Sequence, residues 1–296
     1  MKEVAIIVVT YNRLVLLKEV INALRVQSYS ECQIVVVNNG STDGTEDWLR
    51  QQTDIVTITQ NNSGGAGGFY TGMKYAVENG CDFCWIMDDD VITLPNALEE
   101  LIKAYNIKKD IGFVCSQVVG IDGQAMNTPS IYNESKNGLY PNFCDLIEYQ
   151  MIRVSSATFV SVLISCAVVK KVGLPCKEFF IWGDDSEYTY RISREFDCYM
   201  SCKSRVVHKR ANQRMLSLEE EKDRKRIKNY YFQIRNNGYV IYKFGTMQEK
   251  FIYHLYVLKH FFRNILSAPY KSWIVLKGYV AFYFFNPRLR YPVYEK

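Results

Sequence analysis

Residues 4–119 alternate short apolar runs with amphipathic helical patterns, and this alternation limits the possible folds more than any other feature of the chain. Residues 4–9 form a continuous apolar run of strand length. Leu14, Leu17, Val20, Ile21 and Leu24 then recur at helical spacing. The pattern repeats with strands at 33–38, 55–59, 83–87 and 111–119. Between them lie a turn at 40–45, helices at 46–52 and 95–105, and a glycine-rich loop at 61–68 that leads into a helix ending near residue 79. Such alternation implies an α/β fold with an open, mostly parallel sheet, whose ligands sit beyond the carboxyl ends of the strands. After residue 120 the pattern loosens into loops and short strands around an acceptor cleft. It resumes as an apolar stretch at 158–169, a helix ending near residue 193 and a last strand at 200–208. Residues 209–223 read as a linker, and three helical segments follow near 224–243, 247–267 and 270–285. The organisation is therefore a nucleotide-binding α/β unit over residues 1–209 and a helical region over 210–296.

The 296 residues carry a net charge of +5, which conceals a division. Residues 1–201 hold 16 basic and 25 acidic side chains, whereas 202–296 hold 20 basic and 6 acidic ones. The basic tail is expected to seek anionic surfaces. Its aromatics interleave with Lys250, Lys259 and Arg263, a composition that suits a helix lying in a membrane interface, packing on the α/β unit, or forming a dimer contact. Nucleic acid is disfavoured because the strand ends present aspartates. No secretory leader is evident, and the longest predominantly apolar uncharged run, sixteen residues at 154–169, is shorter than the roughly 20 apolar residues of a spanning helix. Nine cysteines at irregular spacing read as small reduced hydrophobes, which fits a cytoplasmic setting.

Three clusters carry chemistry. Asp88-Asp89-Asp90 ends an apolar strand, so alternation sets Asp88 and Asp90 on one side and Asp89 on the other. Two hard oxygen donors suit Mn²⁺ or Mg²⁺ beside a diphosphate. His208 closes the last strand and is a candidate third ligand. His254 and His260 lie in the aromatic tail and read as packing or surface residues. In the glycine loop, Gly64, Gly65 and Gly67 allow a close approach of phosphate or sugar, although neither the dinucleotide fingerprint nor the Walker pattern is matched. Asp184-Asp185-Ser186-Glu187 reads as a capping box with Asp184 at the N-cap, which leaves Asp185 free to accept a proton from an attacking hydroxyl.

In combination these motifs resemble family 2 glycosyltransferases. Val8-Val9-Thr10-Tyr11-Asn12-Arg13 and Val36-Val37-Asn38-Asn39-Gly40-Ser41-Thr42-Asp43 resemble the family's nucleotide-binding start, and glycine loop, metal aspartates, base and histidine follow in the family's order. Asn39 stands where many members carry Asp, which loosens the expectation for the base. The Gly-Gly-Ala-Gly-Gly-Phe loop, the three aspartates and Trp182-Gly-Asp-Asp-x-Glu187 are most similar to bacterial galactofuranosyltransferases. Tyr230-Tyr231-Phe-Gln-Ile-Arg235-Asn236 resembles a signature shared with rhamnosyltransferases. The resemblance implies a GT-A fold and an inverting transfer from a UDP-sugar, with galactofuranose preferred over a dTDP-rhamnose donor. Asp88, Asp90 and His208 would hold the metal, and Thr10, Asn12, Arg13 and Asn39 the uridine. Asp89 would contact ribose or donor sugar. Asp185 would be the general base and Asp184 would orient a substrate. Trp182, Tyr231, Arg235 and Asn236 would face the acceptor, which in this family is often a polyprenyl-diphosphate-linked glycan at the inner membrane face. The rival readings are a sugar nucleotidyltransferase, against which the early segment lacks glycine, and a non-catalytic module recruited to membranes.

Overall fold

A computed structural model describes residues 3–135, 138–210 and 217–293. The chain runs through β1 (Val4–Thr10), α1 (Leu14–Arg25), β2 (Cys32–Asn38), α2 (Thr45–Leu49), β3 (Ile55–Thr59), α3 (Gly64–Glu78), β4 (Phe83–Asp88) and β5 (Val91–Thr93). It continues through α4 (Ala97–Tyr105), β6 (Ile111–Gly120), β7 (Ser130–Ile131), β8 (Met151–Ser156), β9 (Val162–Ser165), α5 (Cys166–Val172), α6 (Asp184–Ser193) and β10 (Asp197–His208). The helices α7 (Arg224–Phe244), α8 (Met247–Asn264) and α9 (Pro269–Phe284) complete it. Part of the expected linker, residues 211–216, lies outside the described residues.

The sheet order is β3-β2-β1-β4-β9-β6-β10-β8-β7, with β5 paired to β10. The first four strands of that order up to β4 are parallel, as are β6 and β10. The expected parallel layout holds for these strands. β9 runs antiparallel between β4 and β6, and β8 runs antiparallel beside β10. Every residue of β1 is buried, because helices cover both faces. Val4, Ile6 and Val8 point into a layer shared with Leu17, Ile21 and Leu24 of α1 and Leu98 and Leu101 of α4. Ala5, Ile7 and Val9 point into the opposite layer, shared with Phe69 and Met73 of α3, Val169 of α5 and Tyr188 of α6.

The glycine-rich segment departs from expectation. Helix α3 already begins at Gly64, so most of these glycines sit in its first turns and not in a loop. A Cβ on Gly68 would lie 2.3 Å from Val9 Cγ1, and one on Gly72 would lie 2.3 Å from Ile7 Cγ2. The glycines thus let α3 settle directly onto β1.

The three C-terminal helices form their own apolar cluster from Ile227, Tyr230, Ile234, Tyr253, Val257, Ile274, Val275 and Phe282. Lys243 of α7 reaches back to α6, where its Nζ lies 2.8 Å from the fully buried Glu187, which also pairs with Arg191 at 3.0 Å. Among the described residues no helix is long and apolar enough to cross a membrane. His254 bonds to Tyr242 and Tyr279, and His260 bonds to Glu219, so both serve packing as expected. All nine cysteines are free thiols. Burial pushes the Cys115 thiol up to about 12 and that of Cys81 up to about 11, so both are inert hydrophobes.

Candidate active site

Strand β4 ends at Asp88, and a tight turn carries Asp89 and Asp90 into β5. Because β5 pairs antiparallel with β10, His208 lies opposite Val91 and therefore beside Asp90. One ligand atom each from Asp88, Asp90 and His208 falls within 4.8 Å of the others, a grouping that is unique among the described residues. The chemistry of this trio favours a cation. Asn127 Oδ1, an acceptor, lies 2.9 Å from His208 Nδ1, so Nδ1 carries the proton. The lone pair on Nε2 then faces Asp90 Oδ1 at 3.1 Å, and that buried oxygen has no hydrogen-bond donor. Two facing acceptors need a positive charge between them, either a proton on Nε2 or a metal ion. Burial, then the charges of Asp90 and Asp89, push the Asp88 carboxyl well above the usual carboxylate range. The donor set of two carboxylates and an imidazole fits Mn²⁺ or Mg²⁺.

Asp89 has other partners, although the turn and not strand alternation separates it from Asp90. Its Oδ2 accepts the Thr10 hydroxyl at 2.7 Å and its Oδ1 accepts Arg13 Nη1 at 3.1 Å. The same Arg13 nitrogen lies 2.8 Å from Asp90 Oδ2, so one half-exposed guanidinium braces two aspartates. Thr10 is buried and spends its hydroxyl on Asp89, which makes it a support for the aspartates rather than a surface for the nucleotide. Asn12, in a left-handed conformation at φ 54°, accepts Thr42 N–H at 2.7 Å and ties the β1–α1 loop to the turn after β2. Asn39 is buried with its carboxamide already engaged. Its Nδ2 donates to Gly64 O at 2.9 Å, and its Oδ1 accepts Gln60 Nε2 at 2.7 Å. It fixes the head of α3 rather than offering an open edge to a base.

That head is partly occupied as well. Gly64 N–H bonds Asn62 Oδ1 at 2.9 Å and Ala66 N–H bonds Phe180 O at 3.2 Å. A Cβ on Gly64 would lie 1.9 Å from Phe180 O, and one on Gly67 would lie 2.1 Å from Ser63 Oγ. Those two glycines are required by packing. Only Gly65 of the three glycines marked for donor contact has open space beside its Cα.

The capping box expected at residues 184–187 does not form. Gly183, at φ 85°, is the N-cap of α6, Asp184 and Asp185 are its first two residues, and Glu187 is turned inward to Arg191 and Lys243. Only a residue without a Cβ takes this cap conformation cheaply, which displaces Asp184 into the helix. Both carboxylates then sit at a positive helix end. Burial nevertheless dominates: with Asp185 beside it, the Asp184 carboxyl is pushed up to about 8. Burial raises Asp185 too, against hydrogen bonds from Ser186. The charge of Asp184 contributes to raising Asp88, which ties α6 electrostatically to the aspartates of β4.

The four acceptor-side residues are divided by the structure. Tyr231 lines a groove of about 660 Å³ between α7 and α9, with Lys228, Trp273 and Lys277. Trp182 is half-buried against the Tyr230 ring, 5.4 Å between centroids. Arg235 and Asn236 are buried under the segment that precedes α6 and bond to its backbone, so Arg235 does not share an exposed basic face with Lys228. Asn127 and Gln60 were not foreseen. Each acts through one long-range hydrogen bond that no local pattern encodes.

A parallel α/β sheet with carboxylates at its strand ends is the layout of the GT-A fold, which transfers sugars from nucleotide donors. The chain belongs to glycosyl transferase family 2, whose model matches residues 5–163. Galactofuranosyltransferase GlfT1 of Mycobacterium tuberculosis is 25% identical over 205 residues, 64% of each chain. An uncharacterized glycosyltransferase of Rickettsia typhi is 32% identical over 116 residues, 38% of this chain and 35% of its own. The chain thus spans about a third of the Rickettsia relative it matches. The crystal structure of S. aureus TarS 1–349 in complex with UDP superposes with a TM-score of 0.56 at 15% identity, covering 81% of this chain and 65% of that one. The UDP-GlcNAc complex of the same protein gives 0.53 at 15% identity, over 79% of this chain and 64% of that one.

Proposed function

We propose that this chain is an inverting, metal-dependent transferase that moves galactofuranose from UDP to a hydroxyl of a lipid-linked glycan at the inner membrane face, in cell-surface polysaccharide synthesis. The observation that carries the reading is the convergence of Asp88, Asp90 and His208 at the end of β4, with Asp184 at the head of α6 electrostatically linked to Asp88 and Asp185 next to it. The likeness to GlfT1 along 64% of both chains supports the donor sugar.

In this reading residues 1–209 bind the donor and 210–296 face acceptor and membrane. Asp88, Asp90 and His208 hold Mn²⁺ or Mg²⁺, which when bound offsets the charge of the diphosphate. Asn12, Arg13, Asp89 and Gly65 line the donor, while Thr10, Asn39, Gly64 and Gly67 shape its pocket. Asp185 takes the acceptor hydroxyl's proton as that oxygen bonds to the anomeric carbon opposite the departing UDP. Its raised pKa makes it a stronger base than a free carboxylate. Asp184, more deeply buried, orients the substrates.

The membrane assignment rests on α8. Tyr253, Val257, His260 and Asn264 form its narrow buried stripe, and Phe251, Leu255, Leu258 and Phe262 point outward. Phe251 is 63% and Phe262 64% exposed, and Lys259 and Arg263 flank them. This apolar face with basic neighbours fits an anionic lipid surface.

The test is a donor screen with UDP-galactofuranose, UDP-galactopyranose and dTDP-rhamnose in Mn²⁺, reading nucleoside diphosphate release with a polyprenyl-linked glycan acceptor. Turnover of UDP-galactofuranose that stops on chelation and in Asp185→Asn supports the reading. Turnover of dTDP-rhamnose alone, or activity surviving full chelation, overturns it.

A further inference from the structure

The segment between α5 and α6 is strained. Phe180 has φ 67° and ψ −63°, and Ile181 N–H bonds Phe179 O at 2.8 Å. This is a γ-turn of the positive-φ kind, which side chains disfavour. Trp182 follows at φ 61° and Gly183 at φ 85°. Three positive φ values within four residues, two of them at bulky aromatics, persist only where surrounding structure enforces them.

The enforcing contacts come from α7. Asn236 is fully buried, and its Nδ2 shares two N–H groups among the carbonyls of Phe179 at 3.0 Å, Ile181 at 3.0 Å and Trp182 at 2.7 Å. Arg235 Nη2 donates to Glu178 O at 2.8 Å and to Phe179 O at 3.1 Å. Arg235 Nε donates to Asn236 Oδ1 at 2.8 Å, so the two side chains hold each other. The guanidinium lies 3.8 Å from the centre of the Phe285 ring, which closes it from below. On the other side Phe180 O accepts Ala66 N–H from α3.

We infer that Arg235 and Asn236 are positioning residues: they clamp the strained 178–183 segment and thereby set where α6 presents Asp184 and Asp185 to the substrates. The inference rests on the transferase reading for its kinetic consequence but not for the clamp itself. Both act through the backbone carbonyls and through each other. A primary amide carries two donors on one nitrogen, so it alone among small side chains gathers successive carbonyls in this way. The carbonyls of a γ-turn converge, and Asn236 meets them from the long helix α7, which packs against α9.

The experiment compares wild type with Asn236→Ala and Arg235→Lys. The readouts are kcat, donor KM, UDP affinity by calorimetry and amide hydrogen exchange. A displaced base predicts that kcat falls about 100-fold while UDP affinity and donor KM stay within about threefold. Faster exchange should be confined to residues 178–186. Turnover within threefold of wild type overturns the inference. So does UDP affinity falling in step with kcat, with exchange accelerating across the β1–β4 strands as well, since that marks a general folding role. Should Asn236→Ala not fold, Arg235→Lys reads the same quantities in a variant that keeps the charge. A wild-type protein inactive with every donor sinks the proposed function, while the exchange comparison still decides the clamp.

Discussion

Replacing Asp184 with Asn should stabilise the protein, and the gain should depend on pH in a defined direction. In the folded chain the Asp184 carboxyl is raised from 3.8 to about 8, first by burial and then by Asp185. Below pH about 4 the group is protonated in both folded and unfolded chains and contributes no penalty. As pH rises from about 4 to about 8 the unfolded chain ionises while the folded one retains its proton. Stability then falls by about 1.4 kcal/mol per pH unit and levels off above pH 8. The full span amounts to roughly 5 kcal/mol, and because the neighbouring carboxylates titrate together a few kcal/mol is the expected reading. Asn keeps the shape without the charge, so the Asp184→Asn advantage should be near zero at about pH 3 and largest near pH 8.5. Urea unfolding in chelator at four pH values, extrapolated to zero denaturant, measures it. An advantage independent of pH would refute the argument, because it would mean that burial of the charge is not what strains this position. Activity should fall in the same variant, the usual relation between a strained site and its function.

Three further outcomes are expected. Asp90→Asn or His208→Ala should abolish saturable Mn²⁺ binding in calorimetry, and Asn127→Ala, which frees the His208 ring, should weaken it by about 10-fold or more; unchanged affinity in all three would remove the proposed metal site. Gly68→Ala should cost about 1–3 kcal/mol, since its Cβ would lie 2.3 Å from Val9 Cγ1, whereas Gly65→Ala, with open space, should leave thermal stability unchanged. Wild-type protein should float with anionic vesicles and lose that binding on Phe251→Glu with Phe262→Glu; a chain that ignores vesicles but dimerises through this face would assign α8 to a protein contact.

How far the site was legible depended on the range of the interactions that build it. The three aspartates are legible as a cluster because they are consecutive at the end of an apolar strand, but β4 stops at Asp88, so it is the turn and not strand alternation that sends Asp89 to Thr10 while Asp88 and Asp90 face His208. The capping box was misread because the choice of cap turned on the backbone of Gly183, which is held in its left-handed state under Asn236. The glycine loop was misread because its composition suits both phosphate contact and close packing. Close neighbours at Gly64 (Phe180), Gly67 (Ser63) and Gly68 (Val9) show packing at most of its glycines. Arg235 and Asn236 are placed on the acceptor side by a resemblance of sequence, which does not show that their polar groups bond the backbone of residues 178–182.

The sequence by itself determined the succession of elements, the acid-rich strand ends and the three basic, aromatic helices, since periodicity and charge are properties of neighbouring residues. Tertiary structure alone decided which polar groups remain available. Thr10, Asn39, Arg235 and Asn236 are hydrogen-bonded within the protein, by partners 21 to 79 positions away for Asn39 and Thr10. A buried polar side chain must find a partner, and that partner is fixed by the fold and not by the chain's local order.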